Sequence, residues 1–150
     1  MNAKSIAYWT TTILFVFGML SGGIAELARR SDNVEGMVRL GYPVYFMMII
    51  GFWKVLGSVA LVVPRFPRLK EWAYAGFFFN MTGAAVSHAV SGDATWHVGV
   101  TLGFAALAVA SWALRPQSRT LGVVIAPGGG EERVTLGRPV KVAAPRTAAA

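Results

Sequence analysis

The chain has 150 residues, of which 55% are hydrophobic and 14% are charged, and its formal net charge is +7. Soluble domains carry about a quarter charged residues, so this composition indicates a membrane protein. The chain contains no cysteine, which excludes structural disulfides, thiolate metal sites and dithiol redox chemistry within it. The basic residues fall between and after apolar blocks, as membrane-topology signals do, so nucleic acid is not expected as a partner.

The first apolar block covers residues 6–25 and is uncharged. Lys4 precedes it and small residues at 23–25 end it, which is also the pattern of a cleaved signal peptide. The block is longer than the ~7–15 residues of a signal-peptide core. We therefore expect a retained transmembrane helix.

Three further apolar blocks follow, at residues 44–63, 72–90 and 96–114. A helix of about 20 residues spans the ~30 Å hydrocarbon core of a bilayer, and in lipid such a segment satisfies its backbone only as a helix. Short connections after the second and third blocks force antiparallel neighbours. The predicted fold is all-α, an up-down four-helix transmembrane bundle that occupies residues 1–119.

Lysine and arginine predict the orientation of this bundle. One side carries Lys4, Arg65, Arg68, Lys70, Arg115 and Arg119, and the opposite loop carries Arg29, Arg30 and Arg39. The positive-inside rule places the first side, with both termini, in the cytoplasm. Residues 120–150 contain a Gly-rich breaker and are predicted to be a mostly disordered, basic cytoplasmic tail, in which 121–126 and 133–142 could pair weakly as strands.

Lys54 is the most informative residue, because it lies in the middle of the apolar block 44–63. A charge at the membrane midplane costs at least ~2.5 kcal/mol, and such residues usually face protein or water inside a bundle. Gly51 and Gly57 share its helix face and would allow a neighbouring helix to approach closely. The alternatives are a neutral amine or a side chain that snorkels along the lipid-facing surface.

Four more polar residues are expected near Lys54, and all five are candidate ligand-binding residues. Asn80 lies at the same depth in the third span and could hydrogen-bond to Lys54. Glu26 ends the first span roughly 15 Å above the midplane by helix rise. His88, beside Ser87, lies at a similar level. A Glu26–His88 pair would form a pocket that opens to the outside, with Lys54 as its floor.

No catalytic or metal-binding residues are predicted. The chain contains two histidines, and His97 is expected in a loop, apart from His88, which argues against a metal site. No nucleophile elbow, phosphate-binding loop or paired carboxylates appear.

Four segments, residues 40–43, 64–76, 82–88 and 115–119, resemble the DoxX-like family of small bacterial membrane proteins. The resemblance covers about residues 4–119 and rests mainly on the string 64–76. It implies a four-helix protein of the bacterial cytoplasmic membrane. The founding DoxX protein is similar to a subunit of a thiosulfate:quinone oxidoreductase, and relatives are associated with membrane redox complexes. The resemblance supplies no catalytic residues.

Two functions follow from these observations. The first is a non-enzymatic membrane subunit or binder that holds an apolar or quinone-like molecule in a cleft between spans one, two and three, around Lys54. The second is a component of an oxidoreductase complex that uses the quinone pool through a partner subunit. A transporter is disfavoured, because the spans show no inverted repeat and no broken helix. The expected partners are the lipid bilayer, a redox subunit and a second copy of the chain, and quinone is the one candidate cofactor.

Overall fold

The computed structural model describes residues 3–116, 119–121, 124–125 and 131–132. Within these residues the chain forms five α-helices and one pair of two-residue strands. The helices are α1 (Ala3–Leu27), α2 (Ser31–Arg39), α3 (Val44–Val62), α4 (Pro67–Val90) and α5 (Thr95–Leu114). Apart from the strand pair, the all-α prediction is confirmed for the part of the chain that the structure describes.

Each predicted span lies almost entirely within one of the four long helices. The largest difference is at α4, which begins at Pro67, five residues before the predicted start at residue 72. Proline is favoured at the first helical position, where its missing N–H leaves no hydrogen bond unmade. The first turn of α4 therefore carries charged residues that precede the apolar block.

The prediction for the tail falls largely on residues outside the described part. Among residues 120–150, the structure describes 120–121 and the strands β1 (Val124–Ile125) and β2 (Glu131–Glu132). These strands pair antiparallel, with Val124 opposite Glu132. The first strand lies in a segment for which weak pairing was predicted, but its partner lies before the predicted second segment.

Helix α2 was not predicted from the sequence. It has nine residues, its first turn contains Asp32, its last turn contains Arg39, and none of its residues is buried. Both charges are placed favourably for the helix dipole. A short helix without a buried apolar stripe gives little periodic signal, so the sequence pattern predicts only a loop between spans here.

The four long helices pack in a ring. Helix α1 contacts α3 and α5, and α4 completes the ring by contacting the same two helices. The buried apolar cluster inside the ring consists of Phe15, Met19, Leu61, Tyr74, Phe77, Met81, Ala105 and Ala108. Tyr74 belongs to this cluster and is only 5% exposed. Its hydroxyl is satisfied inside the bundle by Ser111, at 2.7 Å.

Helices α1 and α3 approach each other closely at two glycines. A Cβ atom placed on Gly51 would lie 2.9 Å from the carbonyl oxygen of Gly23, and one placed on Gly23 would lie 2.9 Å from the Cβ atom of Lys54. By contrast, a Cβ atom on Gly22 would meet no atom of the described residues within 4 Å. Small residues allow helices to approach this closely, and this contact fixes Lys54 beside α1.

A buried lysine fastens the turn between α3 and α4. Lys70 is 1% exposed. Its ammonium group donates hydrogen bonds to the carbonyl oxygens of Ala60 and Leu61, both at 2.8 Å, and to that of Val63. These are carbonyl groups at the C-terminal end of a helix, which lack helical partners and attract a positive charge.

Three of the described helices, α1, α3 and α5, are long and apolar enough to cross a membrane. Helix α4 is also long, but polar residues such as Asn80 and His88 interrupt its apolar sequence. Large apolar side chains point outward from the ring, among them Phe17 at 72%, Phe79 at 70% and Trp72 at 81% exposure. This outer surface is suited to lipid and unlike that of a soluble protein.

Candidate ligand-binding groove

The Lys54 side chain is mostly buried and pairs with Glu26. The distance from Lys54 Nζ to Glu26 Oε1 is 2.5 Å, and the two side chains are 13% and 14% exposed. The snorkelling alternative is therefore not what the structure shows. The predicted Glu26–His88 pair is wrong, because Glu26 lies close to Lys54. The Cβ atom of Glu26 is 3.0 Å from the Cβ position of Gly51, one helical turn from Lys54.

Asn80 does not hydrogen-bond to Lys54, and that prediction is also wrong. Its side-chain oxygen Oδ1 is buried and has no hydrogen-bond partner among the described residues. The second carboxylate oxygen of Glu26, Oε2, is also buried without a hydrogen-bond partner among the described residues. A buried acceptor without a donor costs about 1–3 kcal/mol, so native structures seldom leave one without a reason.

Lys54 and Asn80 line one groove between α3 and α4, which we name the α3–α4 groove. Its volume is about 520 Å³. The apolar lining includes Phe46, Ile50, Trp53, Leu56, Trp72 and Phe77. Lys54 supplies the amine of the lining and Asn80 the amide. The groove thus has an extended apolar wall and a compact polar region, the arrangement typical of sites for amphipathic small molecules.

The groove differs in position from the predicted cleft. It was expected between spans one, two and three and open to the outside, whereas its lining residues come from α3 and α4. Helix α1 contributes indirectly, because its Glu26 forms an ion pair with Lys54 of the groove lining. Exposed side chains along the rim, such as Trp53 at 62% and Trp72 at 81%, lie on the outer surface of the ring. An apolar molecule could therefore enter from the side.

Glycine at position 76 leaves part of this space open. Gly76 lies in the groove lining, and a Cβ atom placed there would meet no atom within 4 Å in the part of the chain that the structure describes. Gly83, two helical turns further along α4, is equally unobstructed but lies outside the lining. A large side chain at position 76 would therefore fill the groove, whereas the same side chain at position 83 would leave it open.

The remaining candidates, His88 and Ser87, lie outside the groove lining. The Ser87 hydroxyl is 2.7 Å from the hydroxyl of Tyr42. Nδ1 of His88 is 2.7 Å from Oδ2 of Asp93. Of the five predicted residues, the structure brings Lys54, Asn80 and Glu26 together, and it places His88 and Ser87 elsewhere. Their roles in ligand binding stay predictions.

Sequence reasoning overlooked Asp93 and separated the two histidines. The rings of His88 and His97 stack with their centroids 4.9 Å apart, and both face the Asp93 carboxylate. The available signal was spacing: Asp93 lies in the turn between the helices, four residues before His97. A short turn between packed helices brings such residues together.

Three helices long and apolar enough to cross a membrane, together with an outward-facing apolar surface, define an α-helical membrane protein. The chain belongs to the DoxX-like family, whose sequence model matches residues 10–111. That range includes both sides of the α3–α4 groove and the Lys54–Glu26 pair. No curated protein and no solved structure matches the chain.

Proposed function

We propose that this DoxX-like protein is a non-enzymatic membrane subunit or binder that holds a quinone or quinol in the α3–α4 groove. The observation that carries the proposal is that Asn80, whose buried Oδ1 has no hydrogen-bond partner among the described residues, lines with Lys54 a mostly apolar groove of about 520 Å³. That volume lies within the ~300–1,000 Å³ typical of small-molecule sites.

The chemistry of the polar region favours a head group that both donates and accepts hydrogen bonds. Oδ1 of Asn80 needs a donor, which the hydroxyl of a quinol supplies. Lys54 has three N–H donors, and its pairing with Glu26 leaves others for a carbonyl oxygen. The apolar tail of the same molecule would lie along Trp53, Leu56 and Trp72.

The proposal includes four antiparallel membrane spans, in which α4 crosses the membrane as α1, α3 and α5 do. Both termini then lie in the cytoplasm. From Trp72 to the end of α4 at Val90 the helix has no Asp, Glu, Lys or Arg. It also packs between α3 and α5, both long enough to span. Asn80 is then enclosed within the bundle, where a polar side chain is costly without a partner.

The test is to purify the protein in mild detergent and to quantify bound quinone by extraction and mass spectrometry. Wild-type protein should carry quinone in a stoichiometric amount. Gly76→Leu should lose it, because leucine fills the groove, and the matched control Gly83→Leu should retain it. Equal quinone content in the Gly76→Leu and wild-type proteins would overturn the assignment of the groove.

Two further variants test the polar region. Asn80→Leu replaces the amide, and with it the acceptor Oδ1, by an apolar side chain of similar size. Quinol binding should weaken by about 10-fold, which corresponds to the loss of one hydrogen bond. Lys54→Met should reduce binding as well. If Lys54→Met retains all the bound quinone, the lysine has no role in the ligand site.

A further inference from the structure

A second polar cluster lies at the end of the bundle that carries α2, outside the lining of the α3–α4 groove. It consists of His88 at the end of α4, Asp93 in the following turn and His97 in the first turn of α5, and we name it the His–Asp–His cluster. Oδ2 of Asp93 is 2.7 Å from Nδ1 of His88 and 3.2 Å from Nδ1 of His97. The side chains are 14%, 8% and 24% exposed, so the cluster is partly shielded but reachable from solvent.

We infer that the His–Asp–His cluster is a binding site for a divalent transition-metal ion of the Zn²⁺ type. Each of the three residues offers one ligand atom, and these atoms lie within 4.8 Å of one another. In a tetrahedral zinc site with bonds of about 2.0–2.1 Å, neighbouring ligand atoms are about 3.3 Å apart. The spacing here therefore needs only small side-chain adjustments.

The donor atoms are chemically suited to such an ion. Oδ1 of Asp93 accepts the backbone N–H of Ala94 at 2.9 Å, which orients the carboxylate and leaves Oδ2 directed at the two rings. Nδ1 of His97 is buried and makes no hydrogen bond with any described residue. Neutral imidazole nitrogen and carboxylate oxygen are common zinc ligands. On binding, the ion would take the place of the proton between His88 and Asp93.

Three protein ligands leave one coordination position of the ion open to exchange. Two imidazoles and one carboxylate leave the fourth tetrahedral position for water or an external ligand, as in sites that are not purely structural. The movement of the three ligands is limited, because His88 and His97 lie in helices that pack against each other and Asp93 lies in the turn between them. Zn²⁺, Co²⁺ and Ni²⁺ all accept this ligand set.

One neighbouring charge opposes cation binding and makes the inference testable. Nη2 of Arg39 is 3.5 Å from Oδ2 of Asp93, and the arginine side chain is 57% exposed. Its guanidinium group can turn towards solvent when a metal ion binds. Arg39→Gln removes this competing charge and should tighten metal binding by roughly 10-fold, as expected for charges a few ångströms apart near water.

The experiment uses full-length protein in detergent, treated with a chelator and carrying no histidine tag, because a tag would bind the same ions. Titration calorimetry with Zn²⁺ should show one site in the wild-type protein. His97→Ala and Asp93→Asn should each weaken binding by at least about 100-fold, since loss of a ligand exceeds the usual effect of losing a supporting residue. Asp32→Asn, at an exposed carboxylate on α2, is the matched control and should bind like wild type.

Two results would overturn the inference: no Zn²⁺ uptake by the wild-type protein, or equal affinity in wild type and His97→Ala. Absorption of bound Co²⁺ in the visible range gives a second measurement, because tetrahedral coordination produces intense bands that should vanish in His97→Ala. Helix content and elution volume check that each variant is folded. Should Asp93→Asn fail this check, His97→Ala carries the test, since its ring makes no hydrogen bond through Nδ1 that holds the turn.

Discussion

Lys54 and Glu26 form an ion pair across the α1–α3 contact, with Nζ and Oε1 2.5 Å apart. The two residues come from different predicted spans and were expected at different depths. Their side chains are mostly enclosed by the bundle, so each charge depends on the other for compensation. The pair thus links the helix that lines the groove to the helix behind it.

The first prediction concerns the removal of one partner. Lys54→Met should lower the free energy of unfolding by about 3 kcal/mol, because it leaves a carboxylate enclosed without its counter-charge. Adding Glu26→Gln should recover a large part of this loss. Unfolding in mixed detergent, followed by circular dichroism, measures both effects.

The control for this cycle is an exposed ion pair on the same protein. Arg30 and Asp32 are 3.9 Å apart, with side chains 67% and 80% exposed. Asp32→Asn should change stability by less than about 1 kcal/mol. A Lys54→Met variant no less stable than Asp32→Asn would contradict the view that the Lys54–Glu26 pair supports the bundle.

The second prediction separates two adjacent glycines of α1. Gly23→Ala should destabilise the protein by about 1–3 kcal/mol, because its Cβ atom would press on α3 and force the helices apart. Gly22→Ala should stabilise it by up to about 1 kcal/mol, because alanine favours the helix and its Cβ atom meets nothing. Thermal unfolding of the two variants in the same detergent gives the comparison. Equal shifts would mean that the α1–α3 contact is looser than described.

The third prediction is a pH dependence that comes from Lys70, which precedes the predicted span of residues 72–90. Burial, reinforced by the nearby guanidinium groups of Arg119 and Arg115, lowers the pKa of Lys70 from 10.5 to about 8. Between these two values the unfolded chain keeps a proton that the folded protein has released. Stability from this group should therefore rise as the pH increases from about 8 to 10.5.

Lys70→Met isolates this effect from the other groups that titrate at high pH. The difference in melting temperature between wild type and Lys70→Met should shift in favour of wild type across that window. Lys4→Met, near the N-terminal end of the exposed first turn of α1, serves as the control and should follow the wild-type curve. Parallel curves for wild type and Lys70→Met would show that the Lys70 pKa is not lowered.

The sequence alone determined the four long helices and their approximate limits. Apolar blocks of about 20 residues leave no alternative to a helix in lipid, because every backbone group must be satisfied within the segment. The same reasoning singled out Lys54, since a charge in such a block must find compensation. This reasoning did not predict helix α2, because none of its residues is buried and its sequence has no apolar block.

Only the tertiary structure decided which polar residues meet. Counting residues gives the height of a side chain along its own helix, but it does not give the rotation of the helix about its axis or the offset of one helix against the next. The Gly23–Gly51 contact fixes both for α1 and α3, and it brings Glu26 to Lys54. The short turn after α4 likewise brings His97 to His88. The packing of α3 against α4 places Asn80 in the groove lining, where its Oδ1 meets no donor from the described residues.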